Sequence, residues 1–325
     1  MVNPKATPSF CVVIEWDNAR LSEMVRGRRM LAELFRQMQE TDAAHKGSGS
    51  VIVAYDALAI DENNLQRVVL DHAGDAWAER VGFAPREGAR YYELKNFGAK
   101  RTDSELLVFL DSDVIPEPGW LRGLLAGFGD PGVDVVCGGT FVSLDSLYGK
   151  AFALFWFFPL RRDGQGLRKV RHFFANNVAF RREVFARYPF PELEQSRGQC
   201  VALAEMLVEK GVGLFRQDAA WVAHPPPNGI RHFCRRAVTQ GHDRLADVQR
   251  NGGRSALALR TTYWALADNL RSALARIRAH FREVGLGRAG AAYAVLLAVI
   301  YYSLMAAGEV VTRASPGFVR RFLLV

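Results

Sequence analysis

Leu106-Leu107-Val108-Phe109-Leu110-Asp111-Ser112-Asp113 is the stretch on which the fold turns. Its continuous apolar run, rich in branched and aromatic side chains, reads as a short strand buried on both faces. It stops at two carboxylates set two residues apart, before Val114-Ile115-Pro116. The same grammar recurs outward from it. Phe10-Cys11-Val12-Val13-Ile14 ends at Glu15-Trp16-Asp17-Asn18, and Val51-Ile52-Val53-Ala54-Tyr55 ends at Asp56. Val133 to Cys137 is a fourth run, closed by Gly138-Gly139, and a short strand is expected near Arg90-Tyr91-Tyr92-Glu93. Leu21, Met24, Val25, Met30, Leu31 and Leu34 recur at helical spacing, and Trp120 to Phe128 reads as a helix. Strands alternating with helices predict an α/β fold with a mostly parallel central sheet flanked by helices. The polar residues gather after the carboxyl ends of the strands, where open α/β sheets bind ligands.

Composition narrows the class. The chain has 325 residues, half of them hydrophobic and 23% charged. It is therefore no disordered, collagen-like or small disulfide-stapled chain. At roughly 150 residues per domain the length allows about two domains. The net charge is +8, and it is unevenly placed. From Ala246 onward there are eleven Arg, no Lys and four acids, an excess of seven, so the preceding body is nearly neutral. The basic residues share their segment with a long uncharged run and do not interleave with stacking aromatics, so no nucleic-acid partner is expected. Cys11, Cys137, Cys200 and Cys234 form no CxxC pair, and the first two sit inside strand-like runs as buried thiols. No apolar stretch precedes the first strand, so no secretory signal is expected and the body is placed in the cytoplasm.

Beyond residue 140 the alternation loosens. Ala151 to Phe158 is aromatic but too short to cross a bilayer, and reads as a buried helix or a membrane-facing patch. Phe173 to Phe180 reads as a strand, Cys200 to Glu209 as a helix ending at Gly211, and Val212 to Phe215 as a strand. Leu266, Leu270, Leu274, Ile277, Phe281 and Val284 mark an amphipathic helix with Arg271, Arg278 and Arg282 off its stripe. Ala289 to Gly308 is uncharged throughout and, at ~1.5 Å per residue, long enough to reach across a ~30 Å hydrocarbon core. Three placements are open to it: spanning, interfacial or buried. The expected organisation is a catalytic domain over 1–245, a basic amphipathic helical segment over 246–287, and an apolar membrane-spanning or interfacial helix with a short tail over 288–325. The anticipated partner of this tail is an anionic membrane surface.

The pair Asp111 and Asp113 carries the chemistry. Two carboxylates at a strand end, separated by one residue that turns away, can approach one divalent cation. Hard oxygen ligands suit Mg2+ or Mn2+, which can bridge a diphosphate and neutralise charge on a departing nucleoside diphosphate.

Taken together, several stretches resemble the family 2 glycosyltransferases. They are Val12-Val13-Ile14 with Asn18, the strand ending at Asp56, Lys95-Asn96-Phe97-Gly98, and Leu107 to Asp113. Gly138-Gly139, Asn176-Asn177-Val178-Ala179-Phe180-Arg181-Arg182, Gly211 and Val222-Ala223-His224 follow in the same order. The resemblance runs from about residue 9 to 230. It implies a GT-A fold, a nucleotide-sugar donor, a divalent metal, and inversion at the anomeric carbon. It also implies donor-binding roles for Glu15, Asp17, Asp56, Lys95, Asp111 and Asp113. Asp113, with Asp111 and His224, would serve the metal, and Gly138, Gly139, Asn177 and Arg181 would lie on the acceptor side.

The chain departs from the family pattern at two places. Its first strand ends in Glu15-Trp16-Asp17-Asn18 where the family reads Pro-Thr-Tyr-Asn-like. Gln199-Cys200 stands where the family commonly has Glu-Asp, whose Asp is the catalytic base. Neither glutamine nor cysteine takes a proton as a carboxylate would. Glu192 and Glu194 are the nearest substitutes, and an already ionised acceptor such as a lipid phosphate needs no strong base.

The expected function is therefore metal-dependent transfer of a sugar from a nucleotide-sugar donor to a glycan or lipid-linked acceptor, at the cytoplasmic face of a membrane. A catalytically silent nucleotide-sugar-binding or membrane-recruitment module is the alternative. A nucleotidyltransferase fits less well, because no Gly-rich loop and lysine follow the first strand.

Overall fold

A computed structural model describes residues 8–21, 23–45, 48–164, 166–193, 197–250, 259–315 and 317–318. The chain divides into two compact units, the first made of 1–140, 161–192 and 199–224, the second of 141–160, 193–198 and 225–325.

In the first unit, β1 (Phe10–Glu15) is followed by α1 (Asp17–Leu21) and α2 (Met24–His45), then β2 (Gly49–Tyr55), α3 (Glu62–Ala73), α4 (Asp75–Ala78) and β3 (Val81–Pro85). Next come α5 (Tyr91–Ala99), β4 (Leu106–Asp111), β5 (Ile115–Pro116) and α6 (Trp120–Ala126). β6 (Val135–Val142) leads into the second unit and its helix α7 (Leu147–Ala153). The chain returns as β7 (Leu167–Val170), β8 (Asn177–Arg181), α8 (Arg182–Arg187), α9 (Gln199–Glu209) and β9 (Leu214–His224). The second unit is completed by α10 (Gly229–Arg250), α11 (Leu259–His280) and α12 (Arg288–Ala314).

The sheet runs β3-β2-β1-β4-β8-β6-β9-β5, with β7 on β9. The parallel order expected from the sequence holds for β3, β2, β1 and β4. The remainder departs from it: β8 pairs antiparallel with both β4 and β6, and β5 and β7 pair antiparallel with β9. The result is a mixed α/β sheet flanked by helices.

Period-two alternation sorts each strand into two cores. Phe10, Val12 and Ile14 of β1, and Leu106, Val108 and Leu110 of β4, face the layer formed with α2, α3 and α6. Cys11, Val13, Leu107 and Phe109 face the opposite layer, with α5, α8 and α9. Phe109 sits in an aromatic cluster there, with centroids 4.7 Å from Phe185, 5.5 Å from Phe190 and 5.9 Å from Phe180.

Three expectations are corrected. Arg90 to Glu93 is not a strand: Tyr91 opens α5, and the edge strand is β3 instead. Helical pitch is what sets Tyr91 and Lys95 one turn apart on a single face. Gly138-Gly139 does not close a strand but lies inside β6. An added Cβ at Gly138 would stand 2.0 Å from the Ala220 carbonyl, and one at Gly139 2.3 Å from the Trp221 ring. Glycine is thus required there by the close approach of β9. Finally, Phe173 to Phe180 forms a strand only from Asn177 on.

In the second unit α12 packs against both α10 and α11. Residue 245, where the sequence places the end of the catalytic domain, lies inside α10. Backbones approach closely where a Cβ on Gly241 would meet the Met305 carbonyl at 2.0 Å and one on Gly308 the Val238 carbonyl at 2.2 Å. The aromatic stretch after residue 150 is helical only to Ala153, and Phe152, Phe155, Trp156 and Phe158 are buried while Phe157 alone of that run is exposed. Arg276 of α11 holds the turn after α7 by donating to the carbonyls of Ala153, Trp156 and Phe158 at 2.6–2.8 Å. The stripe read through Leu274 faces solvent at that residue, since Ala273 and Ile277 are the ones buried.

Truncating Phe109 to Ala removes the hub of an aromatic cluster that cannot close over the gap. A loss of about 3–5 kcal/mol in unfolding free energy is expected from chemical denaturation. Burial pushes the Cys137 thiol up to about 12 and raises that of Cys11 as well. Both then stay protonated at neutral pH, and because the thiolate is the nucleophile, mass spectrometry should find neither alkylated until the chain is unfolded.

Candidate functional site

The carboxyl ends of β1 and β4 lie side by side, because Glu15 is in register with Asp111. Glu15 is fully buried, and its Oε2 accepts from the backbone N–H groups of Asp17 and Asn18 at 3.0 and 3.3 Å. It thereby caps the first turn of α1, an anion at the positive end of a helix. Ser112 supports the same turn, its Oγ accepting from the Ala19 N–H at 2.8 Å.

Asp111 is the most heavily engaged side chain. Tyr91 donates its hydroxyl to both carboxylate oxygens at 2.7 and 2.8 Å. Lys95 Nζ reaches Oδ1 at 2.7 Å, and Asn18 Nδ2 reaches Oδ2 at 3.0 Å. Lys95 has no solvent exposure and its ammonium also lies 4.8 Å from the Tyr91 ring centroid. A buried lysine is tolerated only when paired and hydrogen-bonded, and this one is. Gly98 lets α5 come down far enough for that, since a Cβ there would meet Val13 Cγ1 at 2.7 Å.

Asp113 is buried two residues on. Its backbone carbonyl accepts from Arg26 Nε at 2.6 Å, while Arg26 Nη2 donates to the Ala223 carbonyl at 2.8 Å. The β5–β9 pairing sets Ile115 opposite Ala223, so the antiparallel register carries His224 opposite Val114. One guanidinium on α2 thus ties together the backbones that bear Asp113 and His224. Its bidentate fork suits two carbonyls at fixed separation.

The other expected site residues fall in several places. Asp17 follows the β1 end and is half-buried. Asp56 follows the β2 end, where its Oδ1 accepts from Leu58 N at 3.0 Å and Gly88 N at 2.7 Å, joining the loops after β2 and β3. It does not cap α3, since Asp61 does that. Asn177 lies beside Leu110, with Oδ1 accepting from Trp120 Nε1 and Nδ2 donating to the Gly139 and Ala220 carbonyls. It cross-ties β8, β6 and β9. Arg181, expected on the acceptor side, pairs with Leu106 at the amino end of β4, roughly 13 Å of strand from the Leu110 end. Its guanidinium donates to the Val133, Phe128 and Asp130 carbonyls.

Glu192 is exposed, two residues after Phe190, whose backbone is bonded both ways to the Asn96 side chain. Glu194 lies outside the described residues. Gln199, in the place of the family carboxylate, is buried at the start of α9.

Tyr91, Asn18 and Arg26 were missing from the sequence-based set. The Tyr91–Lys95 spacing of one helical turn was a usable signal, hidden by reading that stretch as a strand. Arg26 acts through carbonyls far apart in sequence, and nothing local announces it.

Among the described residues no three His, Cys, Asp or Glu side chains gather to hold a metal. The set on offer is the Asp113 carboxylate with the His224 imidazole on the neighbouring strand end. That sparse set fits Mg2+ or Mn2+, which keep waters and substrate phosphates in their shell. It does not fit a structural zinc.

Removing one partner of a buried pair is costly, so Asp111→Ala, which strands Lys95, should cost about 3–5 kcal/mol in denaturant titration. Asp113→Ala leaves the Arg26 tie in place, because that contact is to the backbone carbonyl. A loss below about 1 kcal/mol in Asp111→Ala would refute the structural role of the buried pair.

Residues 72–188 match the family described as Glycosyl transferase family 2. No curated protein matches the chain. Among solved structures the fold is similar to the mannosyltransferase PcManGT from Pyrobaculum calidifontis, solved in complex with GDP-Man and Mn2+. The identity is 14% over 97% of this chain and 89% of that one, with a TM-score of 0.57. GalNAc-T7, solved with UDP, GalNAc and Mn2+, is more distant, with 13% identity, 74% of this chain and 51% of that one covered, and a TM-score of 0.46.

Proposed function

From the premise of a family 2 glycosyltransferase segment on a GT-A-like fold, we propose that the chain transfers a sugar from a nucleotide-sugar donor to an acceptor hydroxyl or lipid phosphate. The structural relative carries such a donor, GDP-Man, together with Mn2+. What supports this reading here is the cluster at the ends of β1 and β4, in which Asp111 is held by Tyr91, Lys95 and Asn18. Asp113 stands next to it on a backbone pinned by Arg26.

Transfer is direct. The acceptor oxygen forms its bond to the anomeric carbon from the face opposite the leaving diphosphate, and the bond from that carbon to the diphosphate oxygen breaks, so the configuration inverts. A divalent cation, Mg2+ or Mn2+, would supply charge neutralisation for the departing diphosphate. Asp113 and His224 would hold it. Asp56, Asp17 and Glu15 lie along the donor side of the strand ends, with Glu15 acting through the α1 turn it caps. Lys95 and Tyr91 act as positioning residues through Asp111. Gly138, Gly139 and Asn177 shape the acceptor side by keeping β6, β8 and β9 close. An acceptor hydroxyl would pass its proton to a carboxylate, Glu192 or Glu194, whereas a lipid phosphate attacks already ionised. Most of the rate then comes from positioning and from charge stabilisation.

The body works at the cytoplasmic face of a membrane, held by its basic, apolar C-terminal segment, whose last long helix is apolar enough to qualify as a candidate span.

The test is turnover of a panel of nucleotide sugars with Mg2+ or Mn2+, read as nucleoside diphosphate released. Asp113→Ala should lose at least about a hundredfold in rate, the scale of one lost charge-stabilising group, measured at a temperature where circular dichroism shows the variant folded. Undiminished turnover in that variant rejects the assignment. A second reading, a silent donor-binding module, is favoured by the buried Gln199 in the place of a carboxylate. Calorimetric binding of a nucleotide sugar with no diphosphate release, with acceptors of both kinds present, would establish it instead.

A further inference from the structure

A helix on a protein surface ordinarily turns its apolar side inward and its polar side to water. In the second unit α12 is apolar on its outward side as well. Its inward side carries Ala294, Ala298, Tyr301 and Met305, and also buries Glu309, 1% exposed, and Thr312. Its outward stripe carries Leu296, Val299, Ile300 and Val310, and Ala292, Ser303 and Ala307 complete it. No charged residue lies between Arg288 and Glu309. At ~1.5 Å per residue the 27 residues of α12 make a ridge about 40 Å long.

Two observations bear on whether this helix crosses a bilayer. Its inward side is locked at backbone distance onto α10 through Gly241 and Gly308. Glu309 is bound by Arg244 of α10 at 2.5 Å and by Thr262 of α11 at 2.7 Å. Crossing as a bundle would carry α10, with Arg231, Arg235, Arg236, Asp243 and Asp247, into hydrocarbon. Crossing alone would break the Glu309 contacts to Arg244 and Thr262, leaving it Arg313 of its own helix. The bundle route sets charges where lipid opposes them, and the lone route dismantles the packing of α12.

The neighbouring surface indicates what covers the stripe. Tyr263 and Trp264 are exposed beside Thr262, which meets α12 at Glu309, one residue from Val310. Such aromatic residues favour the headgroup level. Arg260, Arg271, Arg278, Arg282 and Arg288 are exposed on α11 and at the turn into α12. The only acids between Arg260 and Arg288 are Asp268 and Glu283, which pair with Arg271 and His280. An apolar ridge with an aromatic pair and excess arginines complements an anionic lipid surface.

We propose that α12 lies flat on an anionic bilayer, its Leu296–Val310 ridge among the acyl chains and the α11 arginines at the headgroups, without spanning. This rests on the membrane-associated reading above and narrows it to a monotopic attachment by a named face.

The test uses the full chain with vesicles of phosphatidylcholine, alone or mixed with phosphatidylglycerol in equal parts, read by co-sedimentation. Membranes of expressing cells are also washed in alkaline carbonate. The parent chain should sediment with the mixed vesicles, weakly with the neutral ones, and be released by carbonate. The double variant Leu296→Glu, Ile300→Glu should keep its melting temperature, since both sites are exposed, and keep its diphosphate release on a soluble acceptor. Its partition to mixed vesicles should fall at least about tenfold. Retention in carbonate-washed membranes would overturn the flat placement in favour of a span. Sedimentation of the variant equal to the parent would overturn the named face while leaving membrane association standing. A parent chain that ignores vesicles and forms a dimer by light scattering, dissolved by the double variant, would assign the ridge to a second copy and defeat both. Diphosphate release, measured in the same preparations, judges the transferase reading separately.

Discussion

A lysine shielded from solvent where a helix meets the end of a parallel sheet has to find an anion, and Lys95 finds Asp111. Much of the site's architecture follows from that pair. Asp111 can sit in the interior because Tyr91 and Asn18 take up its remaining acceptor capacity. Those donors come from α5 and α1, so both elements are fixed relative to the end of β4. Glycine at position 98 lets α5 approach the sheet, and Glu15 caps the turn that presents Asn18. Desolvation is repaid only with every partner in place, which makes the cluster rigid and leaves the neighbouring Asp113 carboxylate on a fixed support.

The two carboxylates of the Asp-Ser-Asp motif therefore differ in what they do. Asp111 is consumed by the protein's own interior. Asp113 sits on a strand end whose carbonyl Arg26 ties to β9. Between them Ser112 turns toward α1. Two carboxylates that read alike in the motif thus have different surroundings in the fold.

The second unit uses the same physics differently. Glu309 is buried in a helical bundle with Arg244 and Thr262, and two glycines bring backbones together there. Satisfying polar groups inward leaves apolar side chains outward on α12. The uncharged run that hydropathy marks as a possible span is uncharged all round the helix, and 33% of its most apolar window is buried.

Runs of apolar residues ending in carboxylates determined the strands β1, β2 and β4 and the end of the sheet at which polar residues gather, because period and burial are local properties. The position of the Asp-Ser-Asp pair at the end of β4 was legible for the same reason, whereas Gly138-Gly139, read as closing a strand, lie inside β6. Tertiary structure alone decided the antiparallel half of the sheet, since strand direction depends on pairings between residues far apart in the chain. It alone turned Tyr91 and Lys95 onto one helical face and recruited Arg26 across from the β9 strand. It also sent Arg181, which sequence order sets beside Asn177, to the opposite end of β4. Composition located the basic tail. Which side of α12 faces outward was settled only by where Glu309 found its partners, because a buried carboxylate outweighs the preference of any single apolar side chain.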